Sequence, residues 1–409
     1  MKLLSIETSC DETAIAILSF EKEQKEEIKF DVLSNHVLSQ INIHREFGGV
    51  FPTLAKREHA KNIVKIFEEC LKEAGLYKEK EDQTHTSLET EKTEKIRTLL
   101  EREPEMFSEI IKLTLKIEKP DLEALSVTAG PGLAPALWVG INFTKALSIY
   151  WDLPVYPINH MEGHIVSGLI TKLENNKFKL KNIPSPSLAL LISGGHTEID
   201  LIEDFENSKY KKLGQTVDDA VGEAFDKVAR SLNLPYPGGP EISKLADKAR
   251  ENGLKIIPEF KLPRPMMSSR DLNFSFSGLK TAVIYKIKEL EKLTDEKKIT
   301  LEDIKNIIAL DFENAVTEIL LKKIKDAIAR TNSDTLLIGG GVIANNFIRN
   351  NFSEFAIKEN ITLHIPEKSL TGDNAFMIGT VAILQILRNK KSTHISDIRA
   401  ESNFNVENV

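Results

Sequence analysis

The residues with the clearest capacity for chemistry are two histidines four positions apart, in the segment 159–164 that reads Asn-His-Met-Glu-Gly-His. On a helix this spacing places His160 and His164 on one face, one turn apart, where both imidazoles can bind the same metal ion. Glu162 lies about 200° around the helix from His160 and points away. A zinc peptidase needs its glutamate directly after the first histidine. Taken alone, the spacing is also typical of two unrelated histidines on a helix surface.

A third metal ligand is offered by Asp373, in the segment 371–375 that reads Thr-Gly-Asp-Asn-Ala. The aspartate stands at the predicted start of an apolar helix, and by itself it is more typical of an N-cap. Two histidines and one carboxylate with open coordination positions would suit Fe(II) or Zn(II) acting as a Lewis acid.

Two glycine-rich turns follow buried apolar strands. Ser193, Gly194 and Gly195 present successive backbone N–H groups with little side chain in the way, which can hold a phosphate, although a plain hairpin turn has the same sequence. The glycines of 339–341 precede a helix, with Asn345 in its first turn, and offer a second surface for a nucleotide.

Acidic residues form two further groups. Asp11 and Glu12 lie in a turn, where they could bind a metal, orient a nucleophile or accept a proton, or simply face solvent. The helix predicted over 218–227 carries Asp226 and other acids on one face, a pattern that solvated helices also show. Gly239 follows in a Pro-Gly-Gly-Pro turn, where a ligand can approach the backbone closely.

The elements that must position these residues occur in pairs. A strand, a polar turn and a second strand are predicted over 3–18 and again over 188–201. A buried strand, a glycine-rich turn and a helix are predicted over 125–147 and again over 335–348. The repetition predicts an α/β protein with two similar lobes around a central cleft, where ligands bind at the carboxyl ends of strands.

The predicted domains follow from changes in composition. The first lobe covers 1–183, and the Pro/Ser-rich stretch 182–187 marks the crossing to a second lobe over 184–379. The Lys- and Glu-rich segment 78–118 is typical of a surface insertion, such as a helical hairpin, outside the site. A C-terminal helix over 380–396 is expected to pack back on the first lobe. The remaining tail is 397–409, and the chain is expected to be frayed after Ser392.

The amino-acid composition limits which classes of protein this chain can belong to. The chain has 409 residues, 41% of them hydrophobic and 28% charged, with two cysteines and a net charge of −7. That charge disfavours a protein that coats nucleic acid by itself. The N-terminus resembles neither a signal nor a transit peptide, and no stretch approaches ~20 uninterrupted apolar residues. We therefore expect a cytoplasmic protein without a membrane partner.

A series of segments, taken in order along the chain, resembles one family, the bacterial tRNA N6-adenosine threonylcarbamoyltransferases (TsaD). The segments are 6–13 (Ile-Glu-Thr-Ser-Cys-Asp-Glu-Thr), 159–164, 193–196 (Ser-Gly-Gly-His), 218–227, 274–281 (Phe-Ser-Phe-Ser-Gly-Leu-Lys-Thr), 340–345 and 371–373. The resemblance runs from residue 1 to about residue 385. Two positions depart from it: Thr53 replaces a usual glutamate, and Pro135 replaces a usual small residue at a helix start.

The resemblance implies a fold, a metal and a set of binding residues. The fold is the actin-like, sugar-kinase-like ATPase fold with two lobes around a cleft. One divalent ion, Fe(II) or alternatively Zn(II), is expected on His160, His164 and Asp373. The positions that match the family's adenylate-binding residues are Leu191, Ile192, Ser193, Gly194, Gly195, Asp226, Gly239 and Asn345.

The resemblance also implies a reaction and partners. The threonylcarbamoyl group passes from threonylcarbamoyl-AMP to N6 of adenosine 37, in tRNAs that read codons beginning with A, and AMP leaves. We expect Asp11 or Glu12 to take the N6 proton. The expected partners are tRNA, an inactive paralogue of the TsaB type as heterodimer partner, and a P-loop ATPase of the TsaE type.

Other functions compete with this one. A non-catalytic scaffold of the same fold would not need the three metal ligands. A small-molecule kinase of the same fold would share magnesium with its nucleotide and retain no tightly bound transition metal. A metallopeptidase is disfavoured by the position of Glu162.

Overall fold

A computed structural model of the chain describes residues 1–23, 27–81, 87–256, 258, 261–295 and 300–409. These residues form two compact units. The first comprises Met1–Asn42, Val50–Asn182 and Asp373–Val409, and the second comprises Ile43–Gly49 and Ile183–Gly372. No helix among the described residues is both long and apolar enough to cross a bilayer.

The first unit is built on a seven-stranded mixed sheet. Its strands are β1 (Lys2–Glu7), β2 (Glu12–Phe20), β3 (Ile28–Ser39), β4 (Ala124–Gly130), β5 (Val155–Asn159), β6 (Ile170–Lys172) and β7 (Lys177–Leu180). They lie in the order β5-β4-β1-β2-β3-β7-β6. The central strand β1 pairs antiparallel with β2 and parallel with β4, which in turn pairs parallel with β5. The carboxyl ends of the parallel strands β1, β4 and β5 therefore lie at the same edge of the sheet.

The first unit also contains helices. They are α1 (Ile41–His44, which crosses the division between the units), α2 (Pro52–Glu73), α3 (Ser87–Leu99), α4 (Pro104–Lys116), α5 (Ala134–Trp151), α6 (His160–Ser167) and, from the end of the chain, α12 (Ala375–Leu387). The apolar helix α12 packs against β1 and β2 and also against α6, whereas α2 and α5 pack together and against β2 and β4 respectively. Pro135 lies in the first turn of α5, where the missing N–H costs no intrahelical hydrogen bond.

The segment 78–118 contains α3 and α4, and it differs from the expected surface insertion. Many of its apolar side chains, among the described residues, are buried in the same core cluster as the strand residues Leu4 and Val127. The buried members include Ile96, Leu100, Met106, Ile110, Leu113 and Ile117. The high charge of this segment is confined to the solvent side of helices whose other side completes the core.

The second unit is built on a five-stranded mixed sheet. Its strands are β8 (Ser187–Ile192), β9 (Thr197–Asp204), β10 (Lys209–Gln215), β11 (Thr335–Gly339) and β12 (Thr362–His364), and its helices are α7 (Val221–Ser231), α8 (Gly238–Glu251), α9 (Ser277–Asp295), α10 (Leu301–Thr331) and α11 (Asn346–Glu359). The strands lie in the order β10-β9-β8-β11-β12, with β8 antiparallel to β9 and parallel to β11. The two mixed sheets with packed helices confirm the predicted α/β class.

The tail 397–409 is not frayed but packed along the first unit. Glu401 N donates to the carbonyl of Ala129 at 2.8 Å, and Gly132 N donates to the carbonyl of Ser402 at 3.2 Å. Gly130 has φ +154°, and a Cβ there would stand 1.9 Å from the Glu401 carbonyl oxygen. Only glycine therefore lets the tail cross the end of β4 this closely.

Candidate metal centre and nucleotide cavity

The two histidines are positioned by the start of α6. Asn159 is the N-cap, and its Oδ1 accepts hydrogen bonds from Met161 N at 2.8 Å and Glu162 N at 3.2 Å. The helix therefore begins at His160, and His164 lies one turn later, as the spacing predicts. The two imidazole rings are buried, with centroids 4.7 Å apart and planes at 84°.

Asp373 completes the group from the other end of the chain. Its interpretation as an N-cap is wrong, because Asn374 caps α12 by accepting a hydrogen bond from Met377 N at 2.9 Å. The Asp373 carboxylate instead faces the histidines, with Oδ1 3.1 Å from His164 Nε2 and 3.3 Å from His160 Nε2. The sequence thus supplies a separate cap and leaves the carboxylate available as a ligand.

Close packing of α6 against α12 brings these residues together. Gly163 lies between the histidines, and a Cβ at this position would stand 3.1 Å from Met377 Cγ and 3.2 Å from Ile378 Cδ1. The missing side chain lets the first turn of α12 approach α6. Asp373, just before that turn, can then reach both imidazoles.

The three side chains fit a metal ion by their chemistry and spacing. One ligand atom from each of His160, His164 and Asp373 lies within 4.8 Å of the others. Two imidazoles and one carboxylate are a common ligand set for iron or zinc. Glu162 contributes no atom to this cluster, so the position of this glutamate differs from that in a peptidase, as expected.

Glu7 also belongs to this site, although it was not predicted from the sequence. Its buried carboxylate lies 3.1 Å from His160 Nδ1, on the side of the ring opposite Asp373. The sequence did contain a signal for this role, because Glu7 is a single acidic residue at the end of the apolar strand Leu-Leu-Ser-Ile. A carboxylate buried at such a position requires polar partners.

The charges in the cluster shift the pKa values of its members. Burial opposes the charge on His160, but Asp373 and Glu7 outweigh it and raise the pKa of this imidazole well above its usual value. Burial likewise disfavours the Asp373 carboxylate, yet the two histidines hold its pKa well below the usual range. Burial, together with His160, lowers the pKa of His164. A cation that binds here would displace the proton on His160, so metal binding should release a proton.

Of the predicted proton acceptors, Asp11 lies in the turn between β1 and β2, and Glu12 is the first residue of β2. His59 donates from Nε2 to the carbonyl of Cys10 at 3.0 Å, and Gln40 N donates to the carbonyl of Asp11 at 3.0 Å. Ser39 Oγ donates to Glu12 Oε1 at 3.1 Å. Burial, followed by the charge of Asp11, raises the pKa of the Glu12 carboxyl well above its usual value. A carboxyl with a raised pKa is a stronger base once it is ionised.

Several predicted substrate residues meet at a cavity in the second unit. The cavity measures about 370 Å³, and its lining includes Gly194, Asp226, Gly239 and Asn345. Asp226 Oδ1 accepts a hydrogen bond from Gly238 N at 2.6 Å, which fixes the turn that precedes α8. A volume of this size suits a nucleotide-sized ligand.

The Asn345 side chain makes hydrogen bonds to other residues of the protein. Its Oδ1 caps α11 by accepting from Ile348 N at 3.0 Å. Its Nδ2 donates to Ser243 Oγ and to Glu313 Oε1, each at 2.7 Å. Ser243 and Glu313 also line the cavity, as do Asp247 and Phe347, and none of these four was predicted from the sequence.

The remaining predicted substrate positions end strand β8. The side chains of Leu191 and Ile192 are buried, so only their backbone can contact a ligand. Gly195 N donates to Ser193 Oγ at 3.3 Å and His196 N donates to the same oxygen at 3.0 Å. A phosphate bound at this turn would have to replace the hydroxyl as acceptor.

Comparison with known proteins identifies the family. The family model described as TsaD, tRNA N6-adenosine threonylcarbamoyltransferase, matches residues 31–83 and 94–380. The chain belongs to this family. A relative from Thermosipho melanesiensis with the same name is 40% identical over 378 residues, 92% of this chain and 93% of the relative. One from Bacillus subtilis (strain 168) is 38% identical over 392 residues, 95% of this chain and 92% of the relative.

Membership of the tRNA N6-adenosine threonylcarbamoyltransferase family confirms several predictions. The chain is a transferase that acts in tRNA modification, and its fold is the actin-like, sugar-kinase-like fold of that family. The family match leaves out residues 84–93 but includes 94–118, so most of the segment expected to be an insertion is shared with the family. One solved structure can be compared with the chain. A dehydratase component A from Acidaminococcus fermentans has 11% identity and a TM-score of 0.45, with 94% of this chain and 98% of that chain covered.

Proposed function

We propose that this chain transfers the threonylcarbamoyl group from threonylcarbamoyl-AMP to N6 of adenosine 37 in tRNAs that read codons beginning with A. The proposal rests on one observation above the others: His160, His164 and Asp373 offer ligand atoms within 4.8 Å of one another. A non-catalytic scaffold has no use for such a cluster, whereas an acyl transferase can use a cation.

In the proposed reaction the exocyclic N6 attacks the carbamoyl carbon of the mixed anhydride. A bond forms between N6 and that carbon, the bond from carbon to the phosphate oxygen breaks, and AMP leaves with the electron pair. The N6 lone pair is delocalised into the adenine ring. Positioning of the two substrates and stabilisation of charge therefore matter more than a strong base.

His160, His164 and Asp373 would hold the divalent ion, Fe(II) or alternatively Zn(II). When bound, the ion supplies a fixed positive charge that can polarise an oxygen of the donor. The protein contributes a buried site in which the ligands are already close together, and Glu7 faces the far side of the His160 ring.

The donor's adenylate part is assigned to the cavity of the second unit. The support is its volume of about 370 Å³ and the meeting there of Gly194, Asp226, Gly239 and Asn345. Leu191, Ile192, Ser193 and Gly195 would contribute through the turn at the end of β8. A ligand phosphate at this turn would accept hydrogen bonds from the backbone N–H groups that otherwise donate to Ser193 Oγ.

Asp11 or Glu12 would take the proton that N6 releases. Burial and Asp11 raise the pKa of the Glu12 carboxyl, so Glu12 could accept the proton only when it is ionised, and its ionised form would then be the stronger base. A general base typically contributes about 10²–10⁴-fold to the rate. Asp11→Ala and Glu12→Ala should be compared with preformed donor. Near-normal transfer by both would remove this role.

The deciding experiment is mass spectrometry of tRNA nucleosides after incubation with preformed donor and any partners required. Wild type should produce threonylcarbamoyladenosine and AMP in equal amounts, and His160→Ala should not. His394→Ala is the matched control, because this exposed histidine lies outside the cluster. Product from His160→Ala at the wild-type rate would contradict the proposal. The kinase alternative predicts ATP hydrolysis with magnesium and no retained transition metal.

We also propose that the chain acts with an inactive paralogue of the TsaB type as heterodimer partner and with a P-loop ATPase of the TsaE type, in the cytoplasm where tRNA is modified. The net charge of −7 supports a helper that supplies basic surface for tRNA. The isolated chain should therefore transfer slowly, and the paralogue should restore the rate. Full activity of the chain alone would contradict this part.

A further inference from the structure

Glu7 ends β1 inside the first unit, and no part of its side chain is exposed. A buried carboxylate is costly unless several donors compensate it. Three donors among the described residues do so here, from the turn after β1, from β4 and from α6. Ser9 N donates to Oε1 at 2.5 Å, Thr128 Oγ1 on β4 donates to Oε2, and His160 Nδ1 lies 3.1 Å from Oε2.

The contact between Glu7 and His160 decides which ring nitrogen of His160 is available to bind a cation. A ring whose Nδ1–H donates to a carboxylate keeps the lone pair of Nε2 for a cation. Nε2 is also the atom that faces Asp373, at 3.3 Å. Glu7 thus acts on one side of the ring and the metal cluster lies on the other.

His164 offers a contrast within the same cluster. Its Nε2 also faces Asp373, at 3.1 Å. Its Nδ1 is buried without a hydrogen-bond partner among the described residues. Among the described residues, a carboxylate therefore faces only the Nε2 side of the His164 ring, whereas His160 also has one on its Nδ1 side.

We propose that Glu7 is a positioning residue for His160: it selects the tautomer protonated on Nδ1 and fixes the ring so that Nε2 is presented to a divalent cation. This inference rests on the proposed function, since it assumes that His160 is a metal ligand. A carboxylate behind a histidine ligand orients the ring and makes it a better electron donor, and its loss typically lowers metal affinity about 10–100-fold.

The test is metal affinity of the full-length protein, measured with Zn(II) and with Co(II) by competition with a chelator. Glu7→Gln should bind about 10–100-fold more weakly than wild type. The absorption bands of bound Co(II) should also change, because ring orientation affects the coordination geometry. Glu7→Asp keeps the charge but is shorter by one methylene, and it should lie between the two.

Thr128→Val is the matched control. It removes another hydrogen bond to the same carboxylate without touching His160. It should lower stability while leaving metal affinity within about twofold of wild type, since the contact to His160 remains. If Glu7→Gln does not fold by circular dichroism, Glu7→Asp carries the comparison.

The outcomes separate the two proposals. If wild type binds neither ion, the metal part of the proposed function fails and this inference fails with it. If wild type binds tightly and both Glu7 variants bind equally well with an unchanged Co(II) spectrum, only the role of Glu7 is wrong. Equal losses in Glu7→Gln and Thr128→Val would show a general structural effect and would also overturn the role.

Discussion

Replacing Asn159 by alanine tests how the metal helix is held. This side chain is 1% exposed and makes three hydrogen bonds. Oδ1 accepts from the first free N–H groups of α6, and Nδ2 donates to the carbonyl of Phe404 in the tail at 3.0 Å. One amide therefore connects the start of the metal helix to the C-terminal segment.

The expected loss can be worked out from these contacts. Removing an N-cap side chain costs about 1 kcal/mol. Leaving the partly buried Phe404 carbonyl without its donor costs about 1 kcal/mol more. Asn159→Ala should therefore lower the free energy of unfolding of the first unit by about 2 kcal/mol. Asn159→Ser keeps a neutral cap oxygen and should lose only the contact to the Phe404 carbonyl, about 1 kcal/mol.

Metal affinity should respond to the cap and not to the tail contact. If the first turn of α6, which contains His160, becomes less stable by about 1 kcal/mol, metal affinity should fall about fivefold. We expect that loss in Asn159→Ala and little change in Asn159→Ser.

The assays are urea unfolding, chelator competition, and hydrogen exchange at the amides of Met161 and Glu401. Thr300→Ala is the control, because it removes the N-cap of α10 in the second unit, where the hydroxyl accepts from Asp303 N at 3.0 Å. It should cost about 1 kcal/mol of stability in the second unit, without changing metal affinity or exchange at Glu401. If Asn159→Ala matches wild type in stability and exchange, our account of how α6 and the tail are held is refuted.

Other predictions concern the glycine-rich turn, the acidic turn and the thiol beside it. Gly340 has φ +96°, and a Cβ there would stand 2.4 Å from the Ile192 carbonyl oxygen, so Gly340→Ala should cost about 2 kcal/mol or more in urea unfolding. Burial and Asp11 raise the pKa of the Glu12 carboxyl in the folded protein. The metal-free protein should therefore lose stability as the pH rises from the pKa that this carboxyl has in the unfolded chain to the higher pKa that it has in the folded protein. Glu12→Gln should therefore be more stable than wild type at about pH 8 and equal to it near pH 4. Burial and Asp11 also raise the thiol pKa of Cys10 well above its usual value, so alkylation by iodoacetamide at about pH 7.5 should be about tenfold slower than in urea.

Each of these has a control. Gly341 follows Gly340 with an ordinary φ, and beyond its chain neighbours no described atom lies within 4 Å of where a Cβ would stand, so Gly341→Ala should be nearly neutral. Glu21→Gln, at an exposed site, is the control with the same change of charge as Glu12→Gln. A Cys70→Ser background assigns the alkylation signal to Cys10. Equal behaviour of a variant and its control would contradict the corresponding reasoning.

The fold was predictable where local patterns decide it. Apolar strands joined by short turns predicted the hairpin of β1 and β2, and a glycine-rich turn after a buried strand predicted the start of the following helix. The segment 78–118 was harder to interpret, because two half-buried helices with many charges resemble a solvated insertion in sequence. The prediction of a frayed tail was also wrong. Its hydrogen bonds to Ala129 and Gly132 depend on a partner surface that is remote in sequence.

The sequence alone determined the spacing of His160 and His164, because a helical period places residues four apart on one face whatever surrounds the helix. The tertiary structure decided which carboxylates meet them. Asp373 is 209 residues from His164, and Glu7 is 153 residues from His160. Only the packing of α6 against α12 and the pairing of β1 with β4 bring these groups together. Such contacts depend on the whole core, whereas a helical period depends only on the backbone.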